Sequence, residues 1–323
     1  MPPETIDARL IIDTLANRSM NAFAEVPRHD QLIRLALRRR RVELRPVGER
    51  SLVFVFGGVV VGGMDATVTT LVSAHARRIT SDPNLLRRHL EIQEIPVEPQ
   101  VVTMEPAEPQ AAALEPGAEP EATGEAPAEQ QAAEPEPQTA DESSQTPAPP
   151  ANSVRVFVVG DRVCAALLRV SPVVLGDGTS TLRELLEQDA VARGRHALVA
   201  SPPEWDPTAQ AAGSDVDTRV PASNELVHLG ESREISGGGL HIDLTDEFPD
   251  SLQELAVEAV AAVPGLNAAA VDLEVIDLET AEGAFVRAVL PEADISPAHY
   301  PAYGDSHDVA GAIAEEILLR ASR

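Results

Sequence analysis

A small set of side chains in this sequence could do chemistry. The run Ser236-Gly237-Gly238-Gly239, with Arg233 just before it, could offer backbone N–H groups and a guanidinium to an anion. A flexible loop beside a solvated arginine is the plainer alternative. His241 and His299, with Asp243 and Asp272, carry atoms suited to metal ligation or general-base work, although 8 histidines spread along the chain make chance proximity easy. Cys164 would need a base beside it and access to solvent to act as a nucleophile. On the alternation of its strand it reads instead as a small apolar residue. The run Arg38 to Arg41 could hold phosphate or an acidic partner, or could simply end a helix, where cations favour the dipole. All 25 basic residues are arginine, so any mechanism that needs a lysine ammonium is excluded.

The elements that must position these groups fall in two segments. In the first, residues 1–97, apolar spacing predicts a helix over Thr5–Leu15 and another near Asp30–Arg39. Strands follow at Arg41–Pro46 and Ser51–Val61, with a bend at Gly57-Gly58. Thr67–Arg78 reads as helix, and Asp82 caps a last helix to Leu90, with Pro83 in its first turn. In the second, residues 153–323, Val154–Val159 and Arg162–Val170 make a hairpin about Gly160-Asp161. Thr179–Glu187 starts a helix. Ala192–Ser223 reads as loop anchored by Trp205. Ser251–Val263 is a helix stopped by Pro264-Gly265, Ala269–Ile276 and Phe285–Leu290 are strands, and Asp308–Leu319 is a closing helix. The fold class is α+β.

Between them, residues 98–152 are mostly Glu, Pro, Ala and Gln. Such a stretch buries too little apolar surface to offset its ordering entropy, so a disordered acidic linker is expected, with an acidic interaction tail as the alternative. The whole chain of 323 residues carries a formal charge of −27, with 25 basic against 52 acidic residues. That balance argues against a nucleic-acid or acidic-membrane partner, either of which needs a basic stripe. One cysteine permits no internal disulfide, and neither a leader nor a long apolar run is evident. A cytoplasmic, soluble protein is expected.

The order of motifs in the second segment resembles the ATP-grasp ligases, in the branch seen in cyanophycin synthetases and bifunctional glutathione synthetases. The hairpin is followed by Ser171-Pro172, Gly176-Asp177-Gly178 and the helix start at Thr181-Leu182. Then come Ile235-Ser236-Gly237-Gly238-Gly239 with Asp243-Leu244-Thr245-Asp246, the strand Ala270-Val271-Asp272-Leu273, and the tail His299-Tyr300-Pro301 before Asp308. Leu35–Arg41, Thr67–Ile79, Ser81-Asp82-Pro83 and Ile95-Pro96-Val97 of the first segment resemble the piece that precedes the family's nucleotide lid.

The resemblance implies an ATP-grasp core, ATP and Mg²⁺ as cofactors, and a carboxylate activated as an acyl phosphate. It places Asp272 as the first metal ligand and Glu292 and Asp294 as the others; fixing the register from His299 backwards moves those two to Val289 and Pro291. Magnesium needs hard oxygen ligands. Ser236 to Gly239 would face the phosphates, and Arg233 could reach them. The departures are as telling: Pro83 stands where the family has a lysine, a lid lysine cannot exist here, Glu234 replaces an asparagine, and the linker occupies the place of the lid. The expectation is a catalytically inactive scaffold or structural subunit with a protein partner or self-association. An active ATP-dependent carboxylate-amine ligase, and an assembly protein of a larger particle, are the alternatives.

Overall fold

A five-stranded antiparallel sheet organises the molecule, in the order β11-β10-β5-β6-β9. The computed structural model describes residues 8–98, 152–200 and 216–322. The segment read as a linker, beyond Glu98, and Trp205 lie outside the described residues. The sheet is built from β5 (Asn152–Val159), β6 (Arg162–Val170), β9 (Leu240–Asp243), β10 (Ala268–Val275) and β11 (Phe285–Leu290). β5 and β6 form the hairpin expected from Gly160-Asp161, with Gly160 at φ 66°, a conformation that glycine adopts without strain.

Alternation along these strands sends side chains to two separate cores. On one face Val154, Val156, Ala166, Leu168 and Val271 pack with α6 (Asp250–Ala261) and with α3 (Ala74–Thr80) and α4 (Pro83–Ile92). On the other, Phe157, Ala165, Leu167 and Ala270 meet α2 (His29–Arg39), α8 (Val309–Ala321) and the four-stranded sheet β1-β2-β3-β4. That second sheet is a meander of β1 (Glu43–Pro46), β2 (Ser51–Phe56), β3 (Val59–Asp65) and β4 (Val68–Thr69). The first and second segments therefore share both cores, and all described residues belong to one compact unit.

The remaining elements are α1 (Ala8–Asn17), the small pair β7 (Val173–Leu175) and β8 (Leu226–His228), α5 (Leu182–Arg193) and the short α7 (Ser296–His299). Thr181 and Glu184 form a capping box on α5, and Asp82 caps α4 as its sequence predicts. One expected helix is corrected. Thr67–Arg78 begins as strand β4, because β-branched Thr67 to Thr70 favour extended backbone. The helix starts only after Ser73, whose hydroxyl accepts from Ala76 N–H at 3.0 Å. Ser73→Ala is expected to lower stability by about 1 kcal/mol in urea unfolding, with near-native secondary structure by circular dichroism. The run Arg38 to Arg41 closes α2, with Arg38 and Arg39 in its last turn.

Candidate functional site

A stripe of charge crosses one face of the five-stranded sheet. Asp272 on β10 lies directly opposite Arg155 on β5; Arg169 on β6 and His241 on β9 are opposite one another on the same face. Asp272 is 5% exposed and Arg169 9%. Arg155 Nε and Nη2 donate to the two Asp272 oxygens at 2.7 and 2.8 Å, and Arg169 Nη1 donates to Oδ2 at 3.0 Å. Arg169 also pairs with Glu234. Beside them, buried Glu274 takes Arg233 Nη1 at 3.2 Å and Arg287 Nη1 at 3.2 Å. Each of these two buried carboxylates is thus shared by two guanidiniums, and the Arg155–Asp272 contact is the two-pronged fork that makes arginine–carboxylate pairs strong.

The expected ligands do not converge. Glu292 lies past the end of β11 on the half-exposed guanidinium of Arg77, at 2.7 Å. Asp294 turns back onto Ser296, accepting from its N–H at 2.8 Å and its hydroxyl at 2.7 Å, and so starts α7. Val289 and Pro291, the alternative register, bring no ligand oxygen in their side chains, and Val289 is in the core. Among the described residues, no three His, Cys, Asp or Glu side chains are grouped to hold a metal ion.

The glycine loop is also closed on itself. Ile235–Gly237 forms a short 3₁₀ turn, and the N–H groups of Gly237, Gly238 and Gly239 donate to Glu234, Ile235 and Glu234 carbonyls at 3.0, 3.0 and 2.9 Å. An anion cradle needs those donors pointing outward. A Cβ on Gly239 would lie 2.5 Å from the Arg233 carbonyl oxygen, so close packing explains this glycine. Ser236 is exposed on the same turn. Arg193, with no exposed surface, clamps the loop by donating to Gly238 O at 2.9 Å and to Asp189 at 2.6 Å. Burial raises the Asp189 carboxyl above its ordinary range, against the pull of Arg193.

The other candidates separate. His299 Nε2 lies 3.0 Å from Ala310 N–H at the start of α8, and burial lowers its pKa, so it is a neutral acceptor there. Asp243 holds Thr245 N–H and hydroxyl and the Asp305 N–H, a turn-forming role. Burial pushes the Cys164 thiol up to about 11, which keeps it protonated. Two residues missed from the sequence, Arg155 and Arg169, dominate the site. Their signal was present: arginines inside otherwise apolar strands need a buried partner.

No protein-family model matches the chain. The glutathione biosynthesis bifunctional protein GshAB of Mannheimia succiniciproducens is 39% identical over 132 residues, 39% of this chain and 17% of that protein. Cyanophycin synthetase of Synechocystis sp. is 33% identical over 132 residues, 38% of this chain and 15% of that protein. A bifunctional glutathione synthetase from Pasteurella multocida has a similar structure, with a TM-score of 0.64 at 18% identity over 90% of this chain and 44% of that one. The chain is thus similar to ATP-grasp ligases in sequence over about two fifths of its length, and in fold over most of the described residues. It spans less than a fifth of the length of these curated relatives.

ATP-grasp chemistry implies ATP and Mg²⁺, and the donor set here does not fit the metal. The Asp272 oxygens accept three guanidinium hydrogen bonds, while Glu292 and Asp294 are engaged elsewhere. Arginine fills with fixed positive charge a position that a divalent cation would otherwise neutralise.

Proposed function

We propose that this chain is an ATP-grasp protein that makes no acyl phosphate and serves as a binding, scaffold or structural subunit in the cytoplasm, with a protein partner or further copies of itself. The observation that carries this reading is the Asp272 carboxylate held by Arg155 and Arg169. The absence of lysine supports it, since no ammonium is available to steady transferring phosphate. Among the described residues no helix is long and apolar enough to cross a membrane.

Calorimetric titration with Mg·ATP, beside a phosphate-release assay on mixed amino acids, tests it. The expected result is no saturable heat and no release of phosphate. Micromolar binding with amide formation would establish the second reading, an ATP- and Mg-dependent carboxylate-amine ligase, which the likeness to glutathione- and cyanophycin-forming proteins favours. In that case Asp272→Asn would abolish amide formation while sparing the fold. Light scattering tests the third reading, a building block of a larger particle, which requires concentration-dependent association.

A further inference from the structure

β11 is the outer strand of the five-stranded sheet. Near its beginning, the edge is met by Pro96-Val97: Val286 N–H donates to Pro96 O at 2.8 Å, and Val97 bridges Val286 in parallel. Beyond Val286, no strand among the described residues pairs with this edge. Two clefts flank it, one of about 280 Å³ against α4 and one of about 700 Å³ against α3. Thr80, Val289 and Leu290 line both, so the clefts form one groove along the strand. Its length, Val286 to Leu290, matches about five extended residues at roughly 3.3 Å each.

The chemistry of the groove is one-sided. Arg77, Arg78 and Arg155 line one end, Arg87 and Arg287 the other, while Leu86, Leu90, Val286 and Val289 supply apolar floor. A guanidinium carries five N–H donors and no acceptor. Arg155 commits Nε and Nη2 to Asp272 and leaves Nη1 without a partner among the described residues. Arg78 is exposed, with no carboxylate at ion-pair distance among those residues. Glu292 and Glu98 are the carboxylates in the lining; Glu292 holds Arg77 in a pair exposed enough for another carboxylate to exchange with it. Arg87 pairs with Glu91 and Arg287 with Glu274, so it is Arg78, together with the remaining N–H groups of the paired guanidiniums, that leaves the groove with more donors than acceptors. Acidic character elsewhere on the chain acts over longer distances and is screened within about 8 Å at physiological salt.

We propose that this groove takes an extended acidic peptide segment of a partner protein, which adds a strand to the free edge of β11. Main-chain pairing holds the segment, and its alternate side chains meet the arginines and the apolar floor. This names the partner class of the binding-subunit reading and rests on it.

The test is fluorescence anisotropy of the full-length chain with a labelled peptide of alternating glutamate and valine. Saturable binding is expected, weakened on the order of tenfold in Arg78→Ala, which lacks an ion pair to lose, and further in Arg78→Ala with Arg287→Ala. A version with proline in place of alternate valines, unable to complete the strand pairing, is expected not to bind. No saturable binding, equal binding of the proline peptide, or equal binding of a lysine–valine peptide overturns the proposal. So does self-association that depends on Arg78, because the occupant is then a second copy. Failure here leaves the nucleotide titration unchanged, so the two readings fail separately.

Discussion

Asp272→Ala is expected to destabilise the fold by about 3–5 kcal/mol, because it leaves Arg155 and Arg169 buried without their shared counter-charge. A bound magnesium ion would make the same residue a functional ligand, so that its loss would alter stability chiefly when metal is present. Here the cost should be the same with Mg²⁺ and with chelator, read as a shift in the urea midpoint at constant slope. The triple replacement Arg155→Met, Arg169→Met, Asp272→Leu provides the comparison. It removes all three members, so the uncompensated charges vanish, and buried pairs replaced by apolar groups of similar size are often neutral or stabilising. Recovery of most of the lost stability in the triple variant is expected. An Asp272→Ala chain as stable as wild type, or one destabilised only in the presence of Mg²⁺, contradicts the guanidinium-held site.

That site shows how far the sequence could be read. Local chemistry was legible: Gly160-Asp161 turns the hairpin, Asp82-Pro83 and Thr181 start helices, and Ser251–Val263 marks α6 to within a few residues. These depend on neighbours in the chain. The Thr67–Arg78 error arose because β-branched residues and the Ser73 cap were set aside for a helical spacing. Strands β7 and β9 were not anticipated, being too short for their periodicity to stand out. The likeness to ATP-grasp ligases pointed to Asp272 as a metal ligand, but not to the arginines that hold it. Arg155 is 117 residues away in sequence and Arg169 103. Only the pairing of β5 with β10 and with β6 puts all three on one face. The glycine run was visible too, yet the inward direction of its N–H groups is set by the loop's closure on Glu234 and by Arg193.

Loss of stability on mild acidification is the second large effect expected, and His241 is its main source. The ring is 3% exposed, and neither nitrogen has a hydrogen-bond partner among the described residues. Burial, then the nearby charges of Arg155 and Arg169, lowers its pKa to about 3. In the unfolded chain it titrates near 6.5. Between those values the unfolded state takes up a proton that the native state refuses, so stability falls as pH drops from about 6.5 toward 3. The cost grows by about 1.4 kcal/mol per pH unit, which makes about 2.5–3 kcal/mol at pH 4.5. His196 and His299, both lowered by burial, add in the same direction, whereas Asp189, raised by burial, opposes them. His241→Leu isolates the main contribution. At pH 7 it should unfold at a similar or higher urea concentration than wild type, since it removes an unpartnered polar group. Between pH 7 and 4.5 it should lose about 2.5–3 kcal/mol less than wild type does. Parallel pH profiles for the two proteins would mean that His241 is protonated at no net cost in the native state. The ring would then need a proton-accepting partner of its own, whereas Asp272 already accepts from Arg155 and Arg169 and Glu234 is paired with Arg169.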